Sequence, residues 1–358
     1  MSCLNRYWLK EFIKFFAVIQ VIILVLFIFI DYLSRMEKFL RSDISLLAAL
    51  NYVLLKLPFM FVQLTPAGIL LAAITVFGLM NRNNELLAIR SSGINAYILI
   101  KPAVCVALLF SLALFFLGET LIPVSMSKVF EIENNVIRKK NHMAVARENI
   151  WIKSENRLIH INYYDPAHQS VAGVTIASLG ENFQLESRID AKNGYYRDGE
   201  WVFENIIEQV HAKDLMDYEV KTYEKKSIPL AFKPDDLETV AKKSEEMSFS
   251  ELRKYVKKVK AEGYDATPYE VDLNGKIAFP FICIIMVLTG AATGMRSFAK
   301  RNLPMTIALG VVIAALYWIM YGFCISLGYG GILPPLISAW MTNIFFSSMG
   351  VLYLMHSG

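Results

Sequence analysis

The side chains best suited to chemistry in this chain are charged groups bordering long apolar runs. Arg35, Lys38 and Arg41 recur every three residues, a spacing that places them along one face of a helix. Such a row concentrates positive charge that can meet an anion, a guanidinium offering a planar fork of donors and an ammonium a compact point charge. The competing use is snorkelling at a membrane interface, with Glu37 and Asp43 as partners. Lys56, at the head of the next apolar run, poses the same choice. Glu119 sits at the end of a third run, where a carboxylate facing lipid would be costly, so it is expected to pair inside the protein. Aromatic and methionine residues of the runs, such as Phe59, Phe61, Phe77, Phe281 and Met286, suit either a lipid-lined cavity or ordinary bundle core.

Constellations for catalysis are missing. The five histidines (His142, His160, His168, His211 and His356) show neither an H-E-x-x-H spacing nor pairing with cysteines, so no zinc site is expected. There is no G-x-S-x-G nucleophile elbow and no G-x-x-x-x-G-K-[ST] phosphate loop. The expectation is a chain that is not an enzyme and carries no metal or cofactor of its own.

The elements that must position these residues follow from hydropathy. Of 358 residues, 55% are hydrophobic and only 19% charged, with a mean hydropathy of +0.41, against about 25% charged in an ordinary soluble domain. Gly, Pro and Cys numbers exclude a collagen-like, disordered or disulfide-built chain. A bilayer-crossing helix needs about 20 apolar residues, and six segments qualify: Phe12–Ile30, Leu57–Met80, Ala96–Ile122, Ile277–Met295, Leu303–Leu327 and Ile332–Met355. The first follows Arg6, Lys10 and Lys14 but is too long for a signal peptide, and Asp31-Tyr32-Leu33-Ser34-Arg35 is a poor cleavage site. It is expected to be retained.

Positive residues orient the spans. With the N-terminus inside, the inner segments hold Arg6, Lys10, Lys14, Arg82, Arg90, Arg296, Lys300 and Arg301, and the short outer loops only Arg35, Lys38 and Arg41. Both termini are then inside, and residues 123–272 outside. The outer region has no cysteine and nearly balanced charge, which argues against nucleic-acid binding. From Asn149 to Lys233 it shows short alternating stretches: Ile150 and Ile152, then Leu158, His160 and Asn162 across a turn at Ser154-Glu155-Asn156. Val171–Leu179, Leu185–Ala191, Tyr195–Phe203 around Asp198-Gly199, and Ile206–Ala212 follow. Strands at this spacing predict an antiparallel sandwich or roll. A helix is predicted at Phe249–Glu262, with a capping box from Ser248 to Glu251 and Gly263 at its end. Leu252, Tyr255, Val256 and Val259 share its apolar face. Arg253, Lys254, Lys257, Lys258 and Lys260 are largely opposite, so it either lies on anionic lipid or is a solvated surface helix packed on its own domain. The domains are therefore residues 1–122, with a short helix at about 82–93 between the second and third spans; 123–247; 248–270; and 271–358.

That short helix is the segment Asn81 to Ile94. Asn84 or Asn83 is expected to cap it and Gly93 to end it. Its apolar Leu86, Leu87, Ile89 and Ile94 suit either docking of a cytoplasmic partner or rest on lipid headgroups.

The core Asn84-Glu85-Leu86-Leu87-Ala88-Ile89-Arg90-Ser91-Ser92-Gly93 resembles the coupling helix of the LptF/LptG family of lipopolysaccharide-export permeases. So do Leu4-Asn5-Arg6-Tyr7, Asn149-Ile150-Trp151-Ile152, Ser248-Phe249-Ser250-Glu251-Leu252 through Tyr255, and Tyr269-Glu270. The run Leu333-Pro334-Pro335-Leu336-Ile337-Ser338-Ala339-Trp340 with Asn343 is closer to the LptG branch. The resemblance extends over nearly the whole chain. It implies a membrane helical bundle of six spans with an inserted periplasmic antiparallel β-jellyroll. It also implies a paralogous LptF-like permease as partner, two copies of a cytoplasmic LptB-like ATPase that bind the ATP, and an LptC-like bridge protein with a single membrane helix. Glu85 occupies the position that meets a basic residue of the ATPase, with Leu86, Arg90 and Gly93 completing the coupling element. Arg35, Lys38, Arg41 and Lys56 become candidates for the phosphates of lipopolysaccharide, although Asp31 stands where the family often has a lysine. An energy source is needed physically, since exposing each lipid CH₂ costs about 0.8 kcal/mol. Two other functions compete: a mechanotransmission subunit that acts on a periplasmic partner without moving lipid, and a membrane hydrolase.

Overall fold

The computed structural model describes residues 3–41, 46–133, 147–154, 156–165, 168–180, 184–197, 200–211, 218–230, 234, 243–261, 263 and 265–355. His142, His356, Asp43, Glu155 and the Asp198-Gly199 turn lie outside them, as do the side chains of Lys38 and Arg41. The apolar runs form helices α1 (Cys3–Arg41), α2 (Leu46–Arg82) and α4 (Ile100–Ile132), with the short α3 (Glu85–Ser91) before α4. After the strands come α5 (Phe249–Ala261), α6 (Thr267–Ala278), α7 (Ile282–Gly294), α8 (Ser297–Arg301), α9 (Leu303–Tyr329) and α10 (Pro335–Met355). Among the described residues, six helical stretches are long and apolar enough to cross a membrane, α6 and α7 together forming the fourth. The first four outrun the predicted apolar cores because a helix continues until its hydrogen-bond ladder is broken; span four thus starts at Thr267 rather than Ile277, whereas span six starts at Pro335 rather than Ile332.

The spans belong to one compact unit (Met1–Val129, Ser244–Lys257, Asp265–Gly358) and the strands to a second (Phe130–Lys243, Lys258–Tyr264). In the first, α2 is the hub, and glycines let its neighbours approach. Gly290 and Gly294 of α7 lie four apart; a Cβ there would stand 2.9 Å from the Leu70 carbonyl and 3.0 Å from the Ile74 carbonyl. This is small-residue packing of the kind that lets membrane helices associate without a hydrophobic driving force. Gly310 of α9 meets the tip of Ile74, and Gly68 of α2 meets the amide of Gln20 on α1. That amide is buried with neither its nitrogen nor its oxygen hydrogen-bonded.

Pro280 has no N–H to donate, and the chain between α6 and α7 tightens into a single 3-10 turn, Phe279–Phe281. Asn343 of α10 donates to the Ala278 carbonyl (2.7 Å) and accepts from the Tyr317 hydroxyl of α9 (2.7 Å). This buried network ties spans four, five and six together where the ladder is interrupted.

The second unit holds β1 (Arg147–Ser154), β2 (Arg157–Asp165), β3 (Ser170–Leu179), β4 (Leu185–Arg197), β5 (Glu200–His211) and β6 (Tyr218–Ile228). They form one antiparallel sheet in sequential order. A crease crosses it. Asn149, Asn162, Gly173, Lys192, Asn205 and Glu224 are in register with one another, and none of the five strand pairs forms a bridge at that row, although pairing resumes unshifted on both sides. Gly173 (φ 63°) and Asn205 (φ 53°) take left-handed backbone there. The buried face changes parity at the same row: Ile159 and Ile161 give way to Tyr164, and Ile206 to Phe203 and Trp201. The crease lets the sheet fold over its own apolar face, burying Ile150, Val174, Ile176, Ala191 and Ile228 with them. The expected antiparallel roll is thus a creased meander.

The inward residues of β2 are Ile159, Ile161 and Tyr164. One expectation is corrected here. The predicted breaks after Ala191 and Phe203 are not strand ends, because β4 and β5 run through them. Alternation fails at the crease, and the sequence pattern mimics a turn.

Candidate functional site

Span two carries candidate residues at both ends. From Lys56 to Arg82 is 26 residues of helix, or about 39 Å at ~1.5 Å per residue, so Lys56 and the α3 segment lie at opposite ends of the span.

At the C-terminal end, α2 runs unbroken through Arg82, and the chain reverses at Asn83-Asn84 into the seven-residue α3. The short helix is therefore Glu85–Ser91 rather than about 82–93. The expected asparagine cap is absent: Asn84 sits in the left-handed region (φ 60°) and its side chain makes no capping bond. A capping side chain needs an extended backbone to reach the free N–H groups. Asn83 instead donates to the Glu85 carboxylate at 3.4 Å. The far end closes as expected. Gly93 (φ 75°) takes the left-handed position, its N–H bonds the Arg90 carbonyl (3.1 Å), and the Ile94 N–H reaches the Ile89 carbonyl (3.2 Å). That double bond pattern is a Schellman motif. Leu86 is buried, whereas Leu87 and Ile94 are 59% and 44% exposed. Arg90 is exposed as well. The helix thus anchors one leucine inward and presents an apolar and basic outer face.

Two residues without an assigned role hold this element. The Tyr7 hydroxyl of α1 donates to Glu85 Oε1 at 3.4 Å. Trp8, next to it, stacks on Phe12 (5.0 Å between ring centres) and packs on Phe77 of α2 (5.6 Å). Asn81, the penultimate residue of α2, directs its amide at three successive carbonyls of span four's end: Gly294 (3.4 Å), Met295 (3.0 Å) and Arg296 (2.8 Å). The first two are carbonyls that the helix C-terminus leaves unpaired, and the third also accepts the Ala299 N–H at 3.0 Å. An asparagine beside a span end was the only sequence signal for this.

At the other end, Asp31 gathers the basic candidates. Its Oδ1 is 2.5 Å from Lys56 Nζ and 3.4 Å from Arg35 Nε, and the Arg35 guanidinium lies 5.2 Å from the Tyr52 ring centre. The other carboxylate oxygen, Oδ2, is buried without a hydrogen bond. Lys56 and Arg35 therefore come together around an internal carboxylate, and the triad carries one net positive charge. Lys38 and Arg41 continue along α1.

Glu119 finds its partner inside, as expected. Its carboxylate accepts the N–H groups of Phe249 (2.5 Å) and Ser250 (3.3 Å) at the start of α5, a favourable place for negative charge. The capping box forms beside it: Ser248 N–H to Glu251 (2.9 Å) and Glu251 N–H to the Ser248 hydroxyl (3.2 Å). Leu252, Tyr255, Val256 and Val259 are all buried against the chain, so the apolar face of α5 packs internally rather than on lipid. Just before α6, the exposed Asp265 carboxyl is held below its usual range by hydrogen bonds from the Thr267 side chain and N–H.

Six spans interrupted by a folded-over antiparallel sheet define a multi-pass membrane protein with one inserted β unit. Residues 6–356 match the family described as lipopolysaccharide export system permease LptF/LptG, and the chain belongs to that family. It is similar to the lipopolysaccharide export system permease protein LptG of Escherichia coli strain K12, with 22% identity over 332 residues covering 91% of this chain and 90% of that protein. The LptG protein of E. coli O6:H1 matches to the same extent.

Proposed function

We propose that the chain is an LptG-like permease subunit of an ABC-type exporter in a bacterial inner membrane. It extracts lipopolysaccharide and passes it to a periplasmic bridge. Energy comes from ATP hydrolysed on a separate cytoplasmic ATPase, two copies of which serve a pair formed with an LptF-like permease. Both termini and α3 face the cytoplasm, the β unit faces the periplasm, and an LptC-like protein completes the bridge. The observation carrying this is α3 itself. It is a helix too short to be stable alone, yet it is fixed at both ends and holds Leu87, Arg90 and Ile94 outward. Such an element can transmit a push because it does not yield to it.

In this scheme Glu85 and Arg90 are the polar contacts to the ATPase, Leu86 anchors the helix and Gly93 ends it. Arg35 and Lys56, with Lys38 and Arg41 beyond, meet the phosphates of the lipid. A phosphate would displace Asp31 as their partner, exchanging one anion for another in a half-buried setting.

The test is Glu85→Ala in proteoliposomes holding both permeases and the ATPase. The expected result is ATP hydrolysis that no longer drives lipopolysaccharide release, with release down about tenfold or more, as for loss of one charge-assisted contact. Release at the unaltered rate would take Glu85 out of the mechanism.

A further inference from the structure

A cavity of about 290 Å³ lies among spans two, three, four and five and the start of α5. None of the coupling residues or the Asp31 cluster lines it. Its walls are apolar, formed by Phe59, Val62, Leu114, Phe115, Phe279 and Ile325. Its polar end brings together one ammonium, Lys276, and three carboxylates, Glu119, Glu245 and Asp272.

Those groups are only partly used. Glu119 is engaged with the N–H groups of α5, as above. Asp272 accepts the Tyr329 hydroxyl, which leaves its remaining lone pairs free. Lys276 donates to the Met247 carbonyl at 2.8 Å, one of the three bonds an ammonium can give. Glu245 is exposed. One end of a greasy cavity therefore offers two strong donors on a cation together with acceptors on carboxylates. A ligand satisfying both must carry an anion and a cation close together on an apolar chain.

We propose that this cavity binds one acyl chain and the headgroup of a zwitterionic phospholipid. The phosphate pairs with Lys276, and the ammonium pairs with Glu245 and Asp272. The size excludes lipopolysaccharide, whose several chains exceed a space at the lower end of the ~300–1,000 Å³ typical of ligand pockets. The net negative lining disfavours a purely anionic lipid, since two carboxylates would then face it unpaired.

Gly118 supplies a clean probe. It lines the cavity, and a Cβ there meets nothing within 4 Å, so the side chain of Gly118→Leu starts without a clash. Native mass spectrometry of the full chain in detergent, titrated separately with phosphatidylethanolamine and phosphatidylglycerol, reads the outcome. The expected result is one tightly held phosphatidylethanolamine, preferred about tenfold over phosphatidylglycerol, as for one charge-assisted pair. Gly118→Leu should lose that molecule at an unchanged melting temperature. If that variant melts early, Lys276→Gln decides instead: loss of the preference supports the site. Equal retention of the two lipids by the native chain, or retention of phosphatidylethanolamine undiminished in a folded variant, overturns the proposal.

Discussion

Asn81 is the residue whose replacement discriminates most sharply between a fastened and a loose coupling element. Its amide makes two close bonds to the end of span four, at 3.0 and 2.8 Å, and a longer one at 3.4 Å. A neutral hydrogen bond contributes about 0.5–1.5 kcal/mol net, so Asn81→Ala should cost about 1–3 kcal/mol. Asn81→Asp keeps the shape but turns a donor into an anion facing carbonyl oxygens at the negative end of a helix dipole. That adds about 0.3–1 kcal/mol of repulsion. The order of stability should therefore be Asn, then Ala, then Asp. Thermal unfolding of the purified chain in detergent measures it, and hydrolysis-driven lipid release in proteoliposomes should follow the same order. Asp as stable as Ala, or more so, would refute the idea that donation from this amide holds the two spans together.

Other substitutions separate further elements of the structure. Gln20→Met replaces a buried amide lacking hydrogen bonds with an apolar chain of similar length, and should raise stability by about 1–3 kcal/mol in the same melt. Gly290→Leu should destabilise by about 1–3 kcal/mol or more through overpacking against α2, whereas Gly322→Ala, with open space around its Cβ, should raise melting slightly, because glycine inside a helix costs about 0.5–1 kcal/mol relative to alanine. Gly173→Ala forces a Cβ onto left-handed backbone and into the Asn162 side chain, 2.6 Å away; a loss of about 1–2 kcal/mol is expected, visible as faster proteolysis of the strand region. Asp31→Asn removes the internal partner of Lys56 and Arg35, and should strengthen photocrosslinking of lipopolysaccharide at this end of span one while lowering the melting temperature. Crosslinking that falls together with stability would leave Asp31 a purely structural residue.

Much of this fold is legible in the sequence because bilayer thickness and strand alternation impose strong periodic patterns. The six spans, the Ser248–Glu251 box, the buried stripe of α5 and the glycine end of α3 all follow from local chemistry. What escapes is whatever depends on residues far apart. The crease looks like strand ends at Lys192 and Glu204 because a change of face and a turn both interrupt alternation. Glu85 and Tyr7 are separated by 78 positions, and Asn81 and Arg296 by 215, so nothing local announces either contact. The row Arg35, Lys38 and Arg41 offers only Glu37 and Asp43 as nearby partners in sequence, until Asp31 and Lys56 are seen to meet across two helices. The left-handed Asn84 defeats the cap expectation for a related reason: residue type alone does not fix the backbone that lets a side chain cap.

The glycine seams around α2 also set where this bundle can deform. Helices seated carbonyl-to-Cα leave no slack for sliding, so α2 and α7 must travel as a block. Flexure is left to span one, most of whose length faces outward, and to the Pro280 elbow, whose interrupted ladder already has a substitute bond from Asn343. A rigid wedge with one hinged wall turns a small displacement at its tip into a wider opening along its flank.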